Sequence, residues 1–277
     1  MKSHLRANLL LLAFTVVVCC VMYPVVMYAI GRGLFPTAAS GSLVTEKGVI
    51  RGSELIAQPF TADEYFWPRP SAADYNATAS GASNWGANNP KLRDRVAQAI
   101  GPIVQFKKTS RYYTGTEPAK AVQTNIVAWF AAKPGRAAEW ASEFKVAAEN
   151  WKKDHPDGAL PVSTDAAIPA LFFEMWLRDP ANKDQVADLE PVSADMVMAS
   201  ASGLDPHISL RNAVSVYQLD RVANKRTRAG ADGNKLREDI AALARSLSFT
   251  PLGGLVGEPL VNVLELNLAL DKQFPMP

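Results

Sequence analysis

The sequence predicts an α+β fold in which a single N-terminal transmembrane helix is followed by a mixed α/β domain with a helical insertion. Three observations support this class. Residues 9–30 form one apolar run without a charged side chain. Short apolar pieces bounded by turn residues, near residues 42–51, are typical of paired strands. Beyond residue 89, several segments repeat apolar residues at the spacing of amphipathic helices.

The apolar run, LLLLAFTVVVCCVMYPVVMYAI, is long enough to cross a bilayer as a helix. At about 1.5 Å per residue, roughly 20 residues span the ~30 Å hydrocarbon layer. Pro24 lies inside the run, where a membrane helix can absorb it as a kink, and Tyr23 and Tyr28 lie near its far end, where ring side chains favour the interface. A cleaved secretory signal is the alternative, which the small residues at 37–40 keep open. The length of the run favours an uncleaved anchor.

Basic residues near the ends of the run set its expected orientation. Lys2 and Arg6 precede the run, and only Arg32 follows it closely. Positive residues are enriched on the cytoplasmic side of membrane helices. We therefore expect a single-pass protein of the cell inner membrane, with residues 1–8 cytoplasmic, 9–30 in the membrane and the main domain periplasmic.

The composition limits the chemistry that the chain can carry. The 277 residues have a net charge of +2, which gives no electrostatic bias toward nucleic acid, and we predict no nucleic-acid partner. Cys19 and Cys20 are the only cysteines, and both lie in the apolar run. The part outside the membrane therefore has no thiol for a disulfide or a metal ion.

The first segments after the anchor predict a hairpin and a long irregular loop. Ser42–Val44 and Gly48–Arg51 have turn residues on both sides and can pair. Residues 58–90 are rich in Pro, Gly, Ser and Asn, which predicts irregular structure. The large rings among these residues predict a loop pinned to the core or, as the alternative, a binding surface; they include Phe60, Tyr65, Phe66, Trp67 and Trp85.

A helical middle section follows. Asn89 can cap a helix that begins at Pro90 and ends before residues 101–102. Residues 136–153 and 165–178 predict two further helices. Four of the six tryptophans fall between residues 103 and 190. We interpret them as packing inside a small helical subdomain, and a patch facing a partner or the membrane surface is the alternative.

The C-terminal part predicts more helices. Ser209 can cap a helix from residue 210 to about 225, and a second helix should cover residues 233–247. The apolar tail at residues 260–270 fits both the two-residue period of a strand and the spacing of a helix. We favour a helix there.

Common catalytic patterns are missing from the sequence. His155 and His207 are dispersed, and no H-E-x-x-H, G-x-S-x-G or Walker loop is present. The triplet at residues 205–207, Asp-Pro-His, could form half of an acid–base pair, and we interpret it as a turn that enters a helix. Gln218 and Arg221 predict a surface hydrogen-bonding pair. We predict no catalytic residue, no metal site and no bound cofactor; a stand-alone membrane-anchored periplasmic enzyme or solute-binding protein stays the alternative to an accessory protein.

Several stretches, in a fixed order along the chain, match the pattern of one known family. They are Tyr23-Pro24, GSLV from Gly41, RGSELIAQPF from Arg51, YFWPRPSA from Tyr65, ASGASNWGANNPKL from Ala79, ASASGLDPHIS from Ala199, QLDRVA from Gln218 and GEPLVNVLELNLALD from Gly257. Together they resemble KdpC, the small subunit of the bacterial Kdp potassium-transporting ATPase. Residues 31–102 and 191–277 would form the KdpC-like extracytoplasmic domain, and the stretch at about 103–190 is identified as an insertion, which a surface loop can accommodate.

The resemblance implies a role in a complex. It implies an accessory, non-catalytic subunit of a high-affinity, ATP-driven potassium uptake complex, with a channel-like K⁺-binding subunit and a P-type ATPase subunit as partners. In that complex the family stabilises the assembly and acts as a catalytic chaperone that raises the ATP affinity of the pump subunit. The other subunits would handle ATP and K⁺.

Two sets of residues follow from the resemblance and the topology. Gln218, in the Q-x-x-R-V pattern, corresponds to a nucleotide contact suggested for the family. Its expected extracytoplasmic position favours an indirect effect of ATP over a direct contact. The kinked anchor and the aromatic loop predict a subunit interface, besides the lipid bilayer, that includes Tyr23, Pro24, Phe60, Tyr65 and Phe66.

Overall fold

The computed structural model describes residues 2–115, 117–228 and 230–276 and confirms the α+β class. A long helical rod precedes the folded part and consists of α1 (Lys2–Val16), a π-helical stretch (Val17–Met22) and α2 (Tyr23–Leu34). From His4 to Leu34 the rod is long and apolar enough to cross a membrane, and its most apolar window is 0% buried against the rest of the chain. The structure thus contains the predicted anchor as one continuous helix.

Pro24 is accommodated without ending this rod. Proline lacks an N–H, and its ring clashes with the carbonyl four residues earlier in a regular helix. The π-helical stretch lies just before it, and the Tyr23 N–H reaches back to the carbonyl of Val18. This wider turn makes room for the proline ring. The irregularity predicted at Pro24 therefore takes the form of a π-helical widening.

A short elbow and a hairpin connect the rod to the domain. The elbow contains α3 (Pro36–Ala39), and the hairpin pairs β1 (Leu43–Glu46) with β2 (Val49–Ser53) in antiparallel register. Lys47 and Gly48 form the tight turn with positive φ angles of 51° and 79°. The predicted hairpin is confirmed, and residues 58–89 are irregular, as predicted for this loop.

Helices of the middle section form a subdomain with its own core. They are α4 (Pro90–Ile100), α5 (Pro118–Ala131), α6 (Arg136–Glu143), α7 (Lys145–Asp154), α8 (Ile168–Arg178) and α9 (Lys183–Ala187). Trp140, Phe172 and Trp176 are fully buried at its centre, which confirms that these tryptophans serve helix packing. Asn89 caps α4 by accepting the Lys91 N–H. Because Ala97 joins this core, the packed unit begins at α4, before residue 103.

The two ends of the predicted insertion lie side by side. Phe106 forms an antiparallel bridge with Leu189, and the Glu190 N–H donates to the Gln105 carbonyl at 2.8 Å. An inserted segment with adjacent ends adds little loop-closure cost to its host. The geometry suits an insertion at 103–190, and the domain boundary itself stays a prediction.

The second core belongs to the rest of the chain. Strand β3 (His207–Ser209) pairs antiparallel with β4 (Leu260–Asn262). The helices around this pair are α10 (Ala194–Val197), α11 (Leu210–Ala213), a π-helical stretch (Val216–Asp220), α12 (Arg221–Arg226), α13 (Gly233–Ser246) and α14 (Val263–Gln273). The buried faces of this strand pair and of all these helices except α10 enclose an apolar cluster that also receives Phe66 from the irregular loop.

Three predicted helices are interrupted or shortened. The helix predicted at 136–153 breaks at Phe144, where φ and ψ of −101° and 58° let its ring enter the core. The helix predicted at 210–225 breaks at Ser215, which is extended and caps the Gln218 N–H. The helix favoured for the tail at 260–270 begins only at Val263. Residues 260–262 form a strand, and Asn262 then caps α14.

Candidate functional site

Three of the stretches that carry the family resemblance, YFWPRPSA, QLDRVA and GEPLVNVLELNLALD, meet around residues 62–67. This segment of the irregular loop begins with a turn, in which the Tyr65 N–H donates to the Ala62 carbonyl at 3.2 Å. It is held by the side chains of Gln218, Arg221, Arg226 and Asn267, which we call the clamp. The first two come from the QLDRVA stretch and Asn267 comes from the C-terminal stretch. The clamp therefore joins parts of the chain that lie far apart in sequence.

Two buried amides pair with consecutive residues of the loop. Asn267 accepts the Phe66 N–H at 2.8 Å and donates to the Phe66 carbonyl at 3.0 Å. Gln218 does the same for Trp67, at 3.1 and 2.9 Å. Both amides are 1% exposed. Each one satisfies both backbone groups of a residue as a neighbouring strand would, which fixes the loop without a sheet.

The Arg221 guanidinium completes the grip on Trp67. It stacks on the indole ring at 3.7 Å and donates to Gln218 Oε1 at 2.7 Å and to the Tyr65 carbonyl at 3.0 Å. Burial lowers the pKa of Arg221 to about 10, although Asp63 and Glu64 oppose that effect, and the group stays charged at neutral pH. The surface pair predicted for Gln218 and Arg221 is wrong in this respect, because the glutamine lies in the interior.

A buried arginine ties the loop to the C-terminal helix. Arg226 is 2% exposed and donates to the carbonyls of Glu64 and Phe274, at 2.9 and 2.8 Å, and to the Asp271 carboxylate at 2.7 Å. The Tyr65 hydroxyl donates to the same carboxylate at 3.0 Å. Burial and this hydrogen bond raise the pKa of Tyr65. An arginine with all its partners in place is a costly group to remove, because its carbonyl partners would be left unpaired.

A second polar cluster is built by the ASASGLDPHIS stretch. Asp205 accepts the backbone N–H and the ring Nδ1 of His207 at 3.0 and 3.2 Å, and Arg69 lies 3.3 Å from its other oxygen. Burial alone would raise the pKa of Asp205, but the His207 hydrogen bonds and the Arg69 charge together lower it. Asp205 and Pro206 lie just before β3, and His207 is its first residue. Since α11 follows directly after β3, the interpretation of residues 205–207 as a turn that enters a helix is close to the observed structure.

A close backbone contact explains the glycine of this stretch. Gly203 has a φ of +70°, and a Cβ atom at this position would lie 2.7 Å from the Gly81 carbonyl. The Gly81 N–H donates to the Ser202 carbonyl at 2.8 Å. The irregular loop thus docks on the ASASGLDPHIS stretch at a point where no side chain fits.

A cleft of about 630 Å³ separates the clamp from the helical subdomain. Lys108 of the subdomain pairs with Asp220 at 3.0 Å, and Arg237 of α13 pairs with the same carboxylate. The Tyr217 hydroxyl donates to the Glu190 carbonyl at 2.7 Å, and burial raises the pKa of this phenol. The charged groups of the cleft therefore bind one another and join the two packed units.

The clamp is a binding framework for a loop of the chain itself. The polar groups of the clamp use their hydrogen bonds on the backbone of residues 62–67. Within the part of the chain that the structure describes, no group of three or more His, Cys, Asp or Glu side chains is placed to hold a metal ion. The chemistry of the clamp is to fix the shape of a loop.

The predicted site residues fall in three environments. Tyr23 and Pro24 lie in the rod, whose surface is exposed. Phe66 is 0% exposed in the core, and Phe60 packs against Tyr65 at its edge, with ring centroids 5.6 Å apart. The predicted role of all five in a subunit interface stays a prediction, as does a nucleotide contact by Gln218.

The sequence did not point to three members of this arrangement: Arg226, Asn267 and Asp271. Asn267 and Asp271 lie four residues apart in α14 and therefore share one helix face, next to Arg226. Polar residues at that spacing inside an apolar tail were a usable signal. Asn267 pairs with the backbone of Phe66 and Asp271 with the side chains of Tyr65 and Arg226, and no pattern in the sequence identifies those partners.

Comparisons with known proteins agree with the motifs. The family model described as "KdpC: K+-transporting ATPase, c chain" matches residues 5–127 and 128–272. A potassium-transporting ATPase KdpC subunit of Janthinobacterium sp. (strain Marseille) is 34% identical over 276 residues, which cover 99% of this chain and 100% of the relative. The protein of the same name from Burkholderia cenocepacia strain J2315 is 33% identical over 275 residues, covering 98% of this chain and 97% of the relative.

Proposed function

Because this chain belongs to the KdpC family, and is thus a membrane-anchored accessory subunit of the Kdp potassium-transporting ATPase, we propose that it stabilises the assembled complex and acts as its catalytic chaperone. In this role it raises the ATP affinity of the pump subunit and performs no chemical step. Its partners are a channel-like K⁺-binding subunit and a P-type ATPase subunit. K⁺ and ATP are bound by those subunits.

The observation that supports this proposal is the convergence of the family stretches on the clamp. Two of the stretches, QLDRVA and GEPLVNVLELNLALD, contribute Gln218, Arg221 and Asn267, and their hydrogen bonds, with those of the nearby Arg226, end on the backbone of residues 62–67. The result is a preorganised loop, and rigid loops bind a partner with less loss of conformational freedom. A subunit that acts by contact with other subunits needs such a surface.

We propose that ATP acts on this chain indirectly. Both hydrogen-bonding atoms of the Gln218 amide are already used by Trp67 and Arg221. Because the side chain is also only 1% exposed, a nucleotide could reach it only after residues 62–67 move away and these bonds break, and each buried group then left unpaired costs about 1–3 kcal/mol. In the orientation that Lys2 and Arg6 favour, the domain also faces away from the cytoplasm.

We place the domain over the extracytoplasmic entrance of the channel-like subunit, with the anchor packed on the transmembrane helices of the complex. The π-helical stretch before Pro24 lies in the exposed part of the rod, where a helix of a neighbouring subunit would pack against it. Tyr23 and Pro24 would take part in this contact, and Phe60 and Tyr65 in the contact of the domain.

The test is the ATP dependence of the purified complex. We expect the complex without this subunit to be unstable or to need more ATP for half-maximal activity, and the full chain to restore low-concentration activity. A truncation that keeps residues 1–33 tests the domain, and deletion of residues 103–190 tests the insertion. If truncation to residue 33 left assembly, K⁺ uptake and the ATP KM unchanged, the proposed role of the domain would be lost.

A further inference from the structure

The elbow after the anchor returns the chain toward the membrane. At Phe35, φ and ψ of −134° and 58° end α2, and α3 then folds back along it. A Cβ atom on Gly31 would lie 3.7 Å from the Cβ of Ala39, and Arg32 donates to the Ser40 hydroxyl at 2.6 Å. Residues 39 and 40 are therefore level with residues 31 and 32. The apolar run ends at Ile30, at the edge of the hydrocarbon layer.

The hairpin starts from this level and is fixed there. The Ser42 N–H donates to the Thr37 carbonyl at 2.9 Å, and the Glu54 N–H donates to the Ser42 carbonyl at 3.0 Å. Asn262, which caps α14, donates to the Glu54 carbonyl at 2.9 Å. These bonds connect the anchor, both ends of the hairpin and the core of the domain. The base of the hairpin therefore keeps its position beside the membrane.

The hairpin carries aliphatic side chains on both of its faces. Val49 and Ile50 are 55% and 61% exposed, and as neighbours in a strand they point to opposite sides. Ile50 is opposite Thr45, and Val49 is opposite Glu46. A two-stranded ribbon without a buried face is at best marginally stable in water. The interfacial layer of a bilayer surrounds an inserted segment on all sides and can therefore cover aliphatic side chains on both faces of the ribbon.

The charges of the hairpin suit the same environment. Lys47 lies at the exposed turn, and Arg51 is half-exposed with Glu46 at 3.3 Å. Cationic side chains beside aliphatic ones favour the phosphate layer above the acyl chains. We propose that the hairpin of β1 and β2 inserts its tip into the headgroup layer next to the anchor, so that the lipid surface is its ligand. The hairpin then sets the height and tilt of the domain over the membrane.

This inference depends on the membrane anchor and not on the chaperone role. A polarity-sensitive fluorophore on a single cysteine tests it, in a full-length chain with Cys19 and Cys20 replaced by serine. The test variant is Ile50→Cys, with the label on that cysteine. The matched control is Leu255→Cys, because Leu255 is also aliphatic, is 86% exposed and lies in a loop remote in sequence from the elbow. Both chains are reconstituted in phosphatidylcholine–phosphatidylglycerol vesicles with and without spin-labelled lipid.

We expect blue-shifted emission at position 50 and quenching by spin-labelled lipid several-fold stronger than at position 255. The same difference should persist when the labelled chain is assembled with its partner subunits in nanodiscs. Equal quenching at both positions, or quenching at position 50 that disappears on assembly, would overturn the proposal. Co-purification of the partners with the labelled chain reports on the accessory role separately, so the two failures are distinguishable.

Discussion

Replacing Gln218 with alanine should loosen residues 62–67 and destabilise the domain. The change leaves the Trp67 N–H and carbonyl without partners and removes the acceptor that Arg221 contacts at 2.7 Å. Each buried backbone group left unpaired costs about 1–3 kcal/mol. Since Trp67 is only half-buried, we expect a loss of about 2–4 kcal/mol in the free energy of unfolding.

The assay is denaturant unfolding of the full-length chain in mild detergent, combined with hydrogen exchange of peptides that cover residues 62–67. Gln218→Glu keeps the acceptor for Trp67 and Arg221, but it buries a carboxylate and turns one of its oxygens toward the Trp67 carbonyl, so this variant should also be destabilised. Asn224→Ala, an exposed change on the adjacent helix α12, should stay within about 0.5 kcal/mol. Unchanged stability and exchange in Gln218→Ala, with an altered ATP KM of the complex, would refute the clamp and favour a nucleotide contact.

Three further changes test the surrounding structure. Arg226→Met leaves the Glu64 and Phe274 carbonyls unpaired and should cost about 2–5 kcal/mol by the same unfolding assay. The lowered pKa of Asp205 means that its contribution to stability is present above the unfolded-state pKa, about 3.9, and is lost as the pH falls through the lower folded-state value. Asp205→Asn should therefore flatten the acid limb of the stability–pH curve, and an unchanged limb would contradict the assignment. Gly203→Ala combines backbone strain with a clash, whereas Gly158→Ala, with a φ of +74° and open space around it, has strain alone. Gly158→Ala should cost about 1 kcal/mol and Gly203→Ala clearly more, and equal losses would mean that the contact with the loop is not tight.

Local patterns in the sequence predict the anchor, the hairpin and most helices, because each rests on neighbouring residues. The apolar run, the cap at Asn89 and the cap at Ser209 are of this kind. The breaks at Phe144 and Ser215 could not be predicted, since they arise from the packing of a ring and from a cap inside a continuous apolar pattern.

The clamp was predictable only in part. The Q-x-x-R-V pattern draws attention to Gln218 and Arg221, but their spacing on a helix equally fits a solvent-exposed pair. Their burial depends on a loop whose sequence distance from them is about 150 residues, as the Trp67–Gln218 bond spans 151 positions. Contacts of that length between a side chain and an irregular backbone have no periodicity, so only the folded structure reveals them.

The most direct test of the account is purification of the tagged full-length chain in mild detergent from K⁺-starved cells, followed by an ATPase assay of the eluate. If the chain is an accessory subunit, we expect a P-type ATPase and a channel-like subunit to co-elute with it and the ATPase activity to be stimulated by K⁺. We also expect the Gln218→Ala chain to recover less of this assembly than the Asn224→Ala chain. A chain that elutes alone, stable and without ATPase activity, would contradict the accessory role and favour a stand-alone anchored protein.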